Sequence, residues 1–178
     1  MHGYFEINEG GHNIRCKLYC QEPRNIRKAV IFCHGFGGYL ALKYISEHGN
    51  PFRKVALRCP AVNMHQVITH SIITPEDLEK LDKGKEIPVG FDRKILIGKP
   101  FLEELRENDI TARDYLDYAE ELYILHGTAD EIVPREHSFA FADNNLIEFR
   151  EVEGADHRFR DPKKMDLAIK YILEYFAL

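Results

Sequence analysis

Between residues 13 and 20 apolar and polar positions alternate, with Ile14, Cys16, Leu18 and Cys20 on one side of an extended chain. Such alternation predicts a strand with one buried face. Together with the stretch at residues 4–8 and the Glu9-Gly10-Gly11 turn, it predicts an N-terminal β-hairpin. A second turn at Glu22-Pro23-Arg24-Asn25 leads into residues 29–33, where polar alternation vanishes, as in a strand covered on both faces. The period then becomes helical. Leu40, Ala41, Tyr44 and Ile45 share one helix face, and Gly49-Asn50-Pro51 ends that helix before a strand over residues 54–58. Strand, helix, strand predicts a right-handed crossover between parallel strands.

Further along, Thr74-Pro75-Glu76-Asp77 places a cap residue, a proline at the first helical position and acids in the first turn, with Gly84 as the stop. Residues 62–109 therefore read as a helical cap insertion, with a small hairpin pairing residues 89–91 with 94–97. The last helix carries Ala168, Tyr171, Ile172, Tyr175 and Phe176 on one face, which should pack on the sheet.

Composition narrows the class. The chain has 178 residues, 44% of them hydrophobic and 11% aromatic, enough for one well-buried domain over residues 1–178. A net charge of −5 without a Lys/Arg stripe argues against a nucleic-acid partner. Residues 1–7 lack the pattern of a signal peptide, and no apolar run is long enough to suggest a membrane span, so a cytoplasmic protein with no membrane partner is expected. Cys16, Cys20, Cys33 and Cys59 have no C-x-x-C spacing and read as reduced thiols. Neither a metal nor another cofactor is expected.

The chemistry gathers at three loops. After the strand at residues 29–33 comes His34-Gly35-Phe36-Gly37-Gly38. Read forward, this run resembles the loop that donates an oxyanion-hole amide in α/β-hydrolases; read backward from the following helix, it resembles a G-x-S-x-G nucleophile elbow. In the second alignment Cys33 stands at the first glycine, Gly35 at the serine and Gly37 at the last glycine. The run from Leu122 to Pro134, with Leu125-His126-Gly127-Thr128-Ala129-Asp130 at its centre, resembles the strand and loop of the triad acid, and Glu151-Val152-Glu153-Gly154-Ala155-Asp156-His157 those of the triad base. The acid-then-base order agrees with that fold.

The chain is thus identified as a member of the α/β-hydrolase fold family, closest to the small esterase branch that includes feruloyl esterases and dipeptidyl-peptidase-like enzymes. The resemblance implies a truncated form of the fold. Its sheet should be mostly parallel, with about six strands, an N-terminal hairpin, flanking helices and the cap. Two strand–helix units, roughly 60 residues at about 30 each, are missing between the oxyanion strand and the elbow. Such a loss uncovers apolar surface, so a homo-oligomer is expected.

By the same resemblance Asp130 and His157 are the acid and base, Phe36 supplies the oxyanion-hole amide, and Gly35 and Gly37 form the elbow-equivalent turn. No nucleophile is identified. Cys33 is close enough to substitute for it, although a small buried residue at a strand end is the plainer reading. Ser46, Ser71 and Ser138 lie outside any glycine elbow. His34 and His126 read as structural members of His-Gly turns. Two functions follow: a carboxylic ester (acyl) hydrolase, weak or inactive without its serine, acting on a small ester or acyl ligand; or a non-catalytic relict that binds a ligand or partner.

Overall fold

The computed structural model describes residues 2–9, 12–19, 32–90 and 94–176, with side chains from residue 35 onward. Two compact units are resolved, Met1–Ile31 and Phe32–Leu178. In the first, β1 (His2–Glu9) and β2 (His12–Tyr19) form the expected antiparallel hairpin, with His2 opposite Tyr19 and Glu9 opposite His12. The turns expected at Gly10-Gly11 and at residues 22–25 lie outside the described residues, as does the start of the strand expected from residue 29.

The second unit is an α/β structure around a parallel sheet. Strand β3 (Phe32–Gly35) runs directly into helix α1 (Phe36–His48) and pairs in parallel with β4 (Val55–Pro60). Helix α1 starts four residues before the apolar period that begins at Leu40, and its first turn includes Gly37 and Gly38. Amides of a first turn lack intrahelical partners in any case, so glycine costs little there. A Cβ on Gly38 would lie 2.8 Å from Pro60 Cβ, so this glycine lets α1 pack against the end of β4. The helix ends at Gly49, whose φ of 82° any other residue adopts only under strain.

Between β4 and the next strand of the sheet lies the segment expected to form a cap. Helix α2 (Met64–Val67) continues into a wide turn over Ile68–Ile72, followed by α3 (Pro75–Asp82). The sequence signature at Thr74 is realised in full: the Thr74 hydroxyl accepts from the Asp77 amide, and the Asp77 carboxylate accepts from the Thr74 amide. The small hairpin pairs β5 (Ile87–Val89) with β6 (Ile95–Ile97), two residues earlier on its first strand than expected. Buried Ile87 lies opposite buried Ile97, and this pair sets the register. Helix α4 (Lys99–Glu107) follows, burying Leu102 and Leu105.

Strands β7 (Leu122–Gly127) and β8 (Glu148–Val152) complete the sheet, with α5 (Arg135–Asn144) between them and α6 (Pro162–Phe176) at the end. The order is β3-β4-β7-β8, all parallel. Among the described residues this sheet has four strands rather than the roughly six expected, and the hairpin of the first unit forms a separate two-stranded sheet.

Period-2 alternation splits the strands between two apolar clusters. Val55, Leu57, Leu122 and Ile124 pack with Leu42 and Ile45 of α1, Phe141 of α5 and the segment's Val62, Ile68, Leu81 and Leu105. Ala56, Tyr123, Leu125 and Val152 pack with Ala168 and Ile172 of α6. The segment between β4 and β7 therefore shares a continuous core with α1 and one face of the sheet. No helix among the described residues is long and apolar enough to cross a membrane.

Candidate active site

In open parallel sheets, ligand-binding chemistry collects at the carboxyl ends of the strands, and every predicted site residue lies there. Gly35 ends β3, Asp130 follows β7 and His157 follows β8. The acid and base loops are joined by backbone bonds. Thr128 N–H donates to Val152 O at 3.1 Å and Ala129 N–H to Ala155 O at 3.0 Å. A Cβ on Gly127 would fall 2.2 Å from Ala155 O, so only glycine permits this approach.

The structure brings Asp130 and His157 together. His157 Nδ1 lies 2.8 Å from Asp130 Oδ2; the carboxylate is fully buried, while the imidazole is 12% exposed. The other oxygen, Oδ1, accepts from the amides of Ile132 and Val133, both at 2.9 Å. Burial alone would raise the Asp130 pKa. Hydrogen bonds from His126, His157 and the Val133 and Ile132 amides more than reverse this and hold it well below the carboxylate range. Because the acid is ionised, His157 Nδ1 must carry the hydrogen of their bond, so that in the neutral imidazole Nε2 is the nitrogen with the lone pair.

That Nε2 faces Gly35. A Cβ built on Gly35 lies 3.5 Å from His157 Nε2 and 3.8 Å from Cε1, both ordinary contacts. Gly35 is buried, and its φ of 51° and ψ of −120° give the sharp strand-to-helix turn in which a nucleophile elbow presents its side chain. Phe36 opens α1, so its amide stands among the unpaired donors of a helix start, beside Gly35. Its ring is 39% exposed and stacks on Tyr39. Gly37 occupies the same first turn.

Two neighbours of the acid read from the sequence only as a structural histidine and a reduced thiol. His126 Nε2 lies 3.2 Å from Asp130 Oδ2 and 3.1 Å from Val133 O. Both are acceptors, so Nε2 carries a hydrogen shared between them. Cys59, at the end of β4 with φ 46°, is also buried against Asp130. Cys59, His126 and Asp130 bring their donor atoms within 4.8 Å of one another. As a metal site this set is poor. Burial, then the charge of Asp130, push the Cys59 thiol up, and the thiolate is the form that binds metal. One signal could have revealed His126: a histidine in an otherwise apolar strand needs a buried partner, and the acid lies four residues on.

Two of the three serines are engaged elsewhere, and the third, Ser71, lines a cleft beside the acid loop. The Ser46 hydroxyl donates to Lys43 O and accepts from Arg113, and the buried Ser138 hydroxyl donates to Pro60 O. The Cys33 backbone pairs with Leu57 in the sheet, and its side chain lies outside the described residues.

Next to the acid loop, Glu131 accepts from the His157 amide at 3.2 Å and from Arg160. Glu131 and Ile132 also line a cleft of about 370 Å³ whose other wall includes Ile72, Ile73, Pro88 and Val89. A larger groove of about 490 Å³, lined by Lys54, Leu122, Glu148 and Tyr175, lies at the opposite ends of the strands, away from this chemistry.

Comparisons with known proteins agree with the geometry. The prolyl oligopeptidase family profile matches residues 21–177. Among solved structures, a putative hydrolase from Agrobacterium vitis S4 superposes with a TM-score of 0.63 at 20% identity, covering 82% of this chain and 60% of its own. Mouse alpha/beta hydrolase domain-containing protein 10 gives 0.58 at 19%, covering 83% of this chain and 61% of its own. Est1E from Butyrivibrio proteoclasticus, with ferulic acid bound, gives 0.57 at 17%, covering 82% and 58%. The chain thus spans about 60% of the length of these structures. No curated protein sequence matches it. With a family profile matching most of its length and an α/β-hydrolase fold, this chain belongs to the prolyl oligopeptidase family.

Proposed function

We propose that the chain carries a carboxylic-ester hydrolase site in which the acid and base stand ready and the nucleophile position is held by Gly35, so that its ester turnover is weak or nil. The observation that carries this reading is His157 Nε2, 3.5 Å from where a residue-35 Cβ would stand, while Nδ1 is tied to Asp130. A hydroxyl on that Cβ comes within hydrogen-bond reach of the base.

In this reading Asp130 fixes the tautomer, His157 accepts and returns the proton, and the Phe36 amide supports the oxyanion. The 370 Å³ cleft receives part of the substrate. Ferulic acid in the related Est1E structure makes an aromatic carboxylic ester a reasonable choice of substrate class. The second reading, a non-catalytic binding relict, is favoured by one observation: Gly35 has no side chain with which to form an acyl-enzyme.

The test is Gly35→Ser, assayed with a fluorophosphonate probe and p-nitrophenyl acetate. The wild type should stay unlabelled. The variant should be labelled at residue 35 and turn over at least about 100-fold faster, well inside the span that loss of such a nucleophile costs. A folded Gly35→Ser protein that remains unlabelled sinks the ester-site reading.

A further inference from the structure

Asp130 lies on a loop, whereas His126 lies on strand β7, its backbone in register opposite Glu151 of β8. The hydrogen on His126 Nε2 is shared by Asp130 Oδ2 at 3.2 Å and Val133 O at 3.1 Å, so one strand-borne imidazole grips both ends of the turn that carries the acid. The turn closes on itself from the other side, because the Val133 amide donates to Asp130 Oδ1. Oδ2 therefore serves two imidazoles, His126 from the strand and His157 Nδ1 from the next loop at 2.8 Å. His126 is fully buried, and its Nδ1 has no hydrogen-bond partner among the described residues. A hydrogen on that nitrogen would be an orphaned buried donor, a penalty that the Nε2–H tautomer avoids. The two histidines thus stand in opposite tautomers about one carboxylate.

Resting on the ester-site reading, we propose that His126 is a positioning residue of that site: its Nε2–H pins the Asp130 carboxylate to the sheet, and the pinned Oδ2 in turn aims His157 Nε2. His126 touches no substrate and acts through the acid alone. Without its N–H, two amides still hold Oδ1, but Oδ2 keeps only His157 from these two imidazoles, and acid and base are free to shift together. A reacting group displaced by about 1 Å loses on the order of 100-fold in rate. Groups anchored on strands hold such geometry more precisely than loops do, which gives a polar side chain at this point of β7 a use beyond filling space.

The experiment has one arm on the wild-type chain and one on Gly35→Ser. In the wild type, 15N NMR of histidine-labelled protein should find His126 with its hydrogen on Nε2 and His157 with its hydrogen on Nδ1. A hydrogen on His126 Nδ1 overturns the proposal. In the Gly35→Ser background, His126→Phe fills the space of the ring without an N–H, and His126→Gln returns an N–H at about the reach of Nε2. With p-nitrophenyl acetate, His126→Phe should lower kcat about 100-fold and leave KM within about twofold, and His126→Gln should recover most of the loss. A kcat kept by His126→Phe, a loss carried by KM, or a loss in folded His126→Gln as deep as in His126→Phe each overturns the proposal. The tautomers and the His126→Gln rates decide it even where His126→Phe does not fold. A folded Gly35→Ser parent that is neither labelled by fluorophosphonate nor active removes the ester-site reading instead. The wild-type tautomers, and loss of the His157 Nδ1–H resonance in His126→Phe with its return in His126→Gln, then still decide whether His126 pins the acid.

Discussion

At position 35 activity and stability pull in opposite directions. Its φ of 51° belongs to the region that L side chains rarely adopt, and glycine enters it without a steric penalty. A serine there would meet His157 only at ordinary contact distance, so space does not oppose it; backbone strain does. Strained residues of this kind cost on the order of 1–3 kcal/mol. Gly35→Ser is therefore expected to unfold at lower urea concentration than the wild type, by roughly 1–2 kcal/mol in stability, while gaining ester turnover. Equal or greater stability of the variant, measured by urea titration, would count against the conformation described for Gly35. Glycine at this position carries none of that strain.

The elements explain why the acid and base meet. Strands β7 and β8 are adjacent and parallel, so their following loops leave the same edge of the sheet, and Gly127 lets those loops touch. Gly127→Ala would push a methyl group into Ala155 O, a backbone atom at 2.2 Å that no rotamer change can move aside. Overpacking of this kind costs about 1–3 kcal/mol, and here it also separates Asp130 from His157. The expected result is a lowered melting temperature together with loss of the low-field Nδ1–H proton resonance of the Asp130–His157 bond. Retention of both would mean that the loops approach less closely. Much of this level was legible in the sequence. The helical period at Leu40–Ala41–Tyr44–Ile45, the cap at Thr74 and the last helix follow from local chemistry, and the acid and base loops from their resemblance to known ones. Less legible were features set by distant neighbours. Gly38 and Gly127 are required by Pro60 and Ala155, and His126 and Cys59 have their meaning only through Asp130. The register of the small hairpin likewise depends on burial of Ile87 against Ile97 rather than on its turn residues.

For the molecule as a whole, the buried Asp130 carboxylate ties folding to pH. Its ordinary pKa is 3.8, and in the folded chain the value is held well below this, because hydrogen bonds from two histidines and two amides outweigh its burial. Between the folded and unfolded values, the unfolded chain binds the proton that the folded chain refuses, so stability rises with pH in that window. The contribution is complete above the unfolded value and is lost as pH falls toward the folded one. Asp130→Asn removes this titration and leaves other carboxylates in place, so the difference between the two proteins isolates it. The wild type should melt higher than Asp130→Asn at about pH 5, and the margin should narrow as pH drops below about 4. Thermal melts followed by circular dichroism at each pH measure that margin. A margin that stays flat or widens toward pH 3 would mean that the four donors around Asp130 do not favour its charged form.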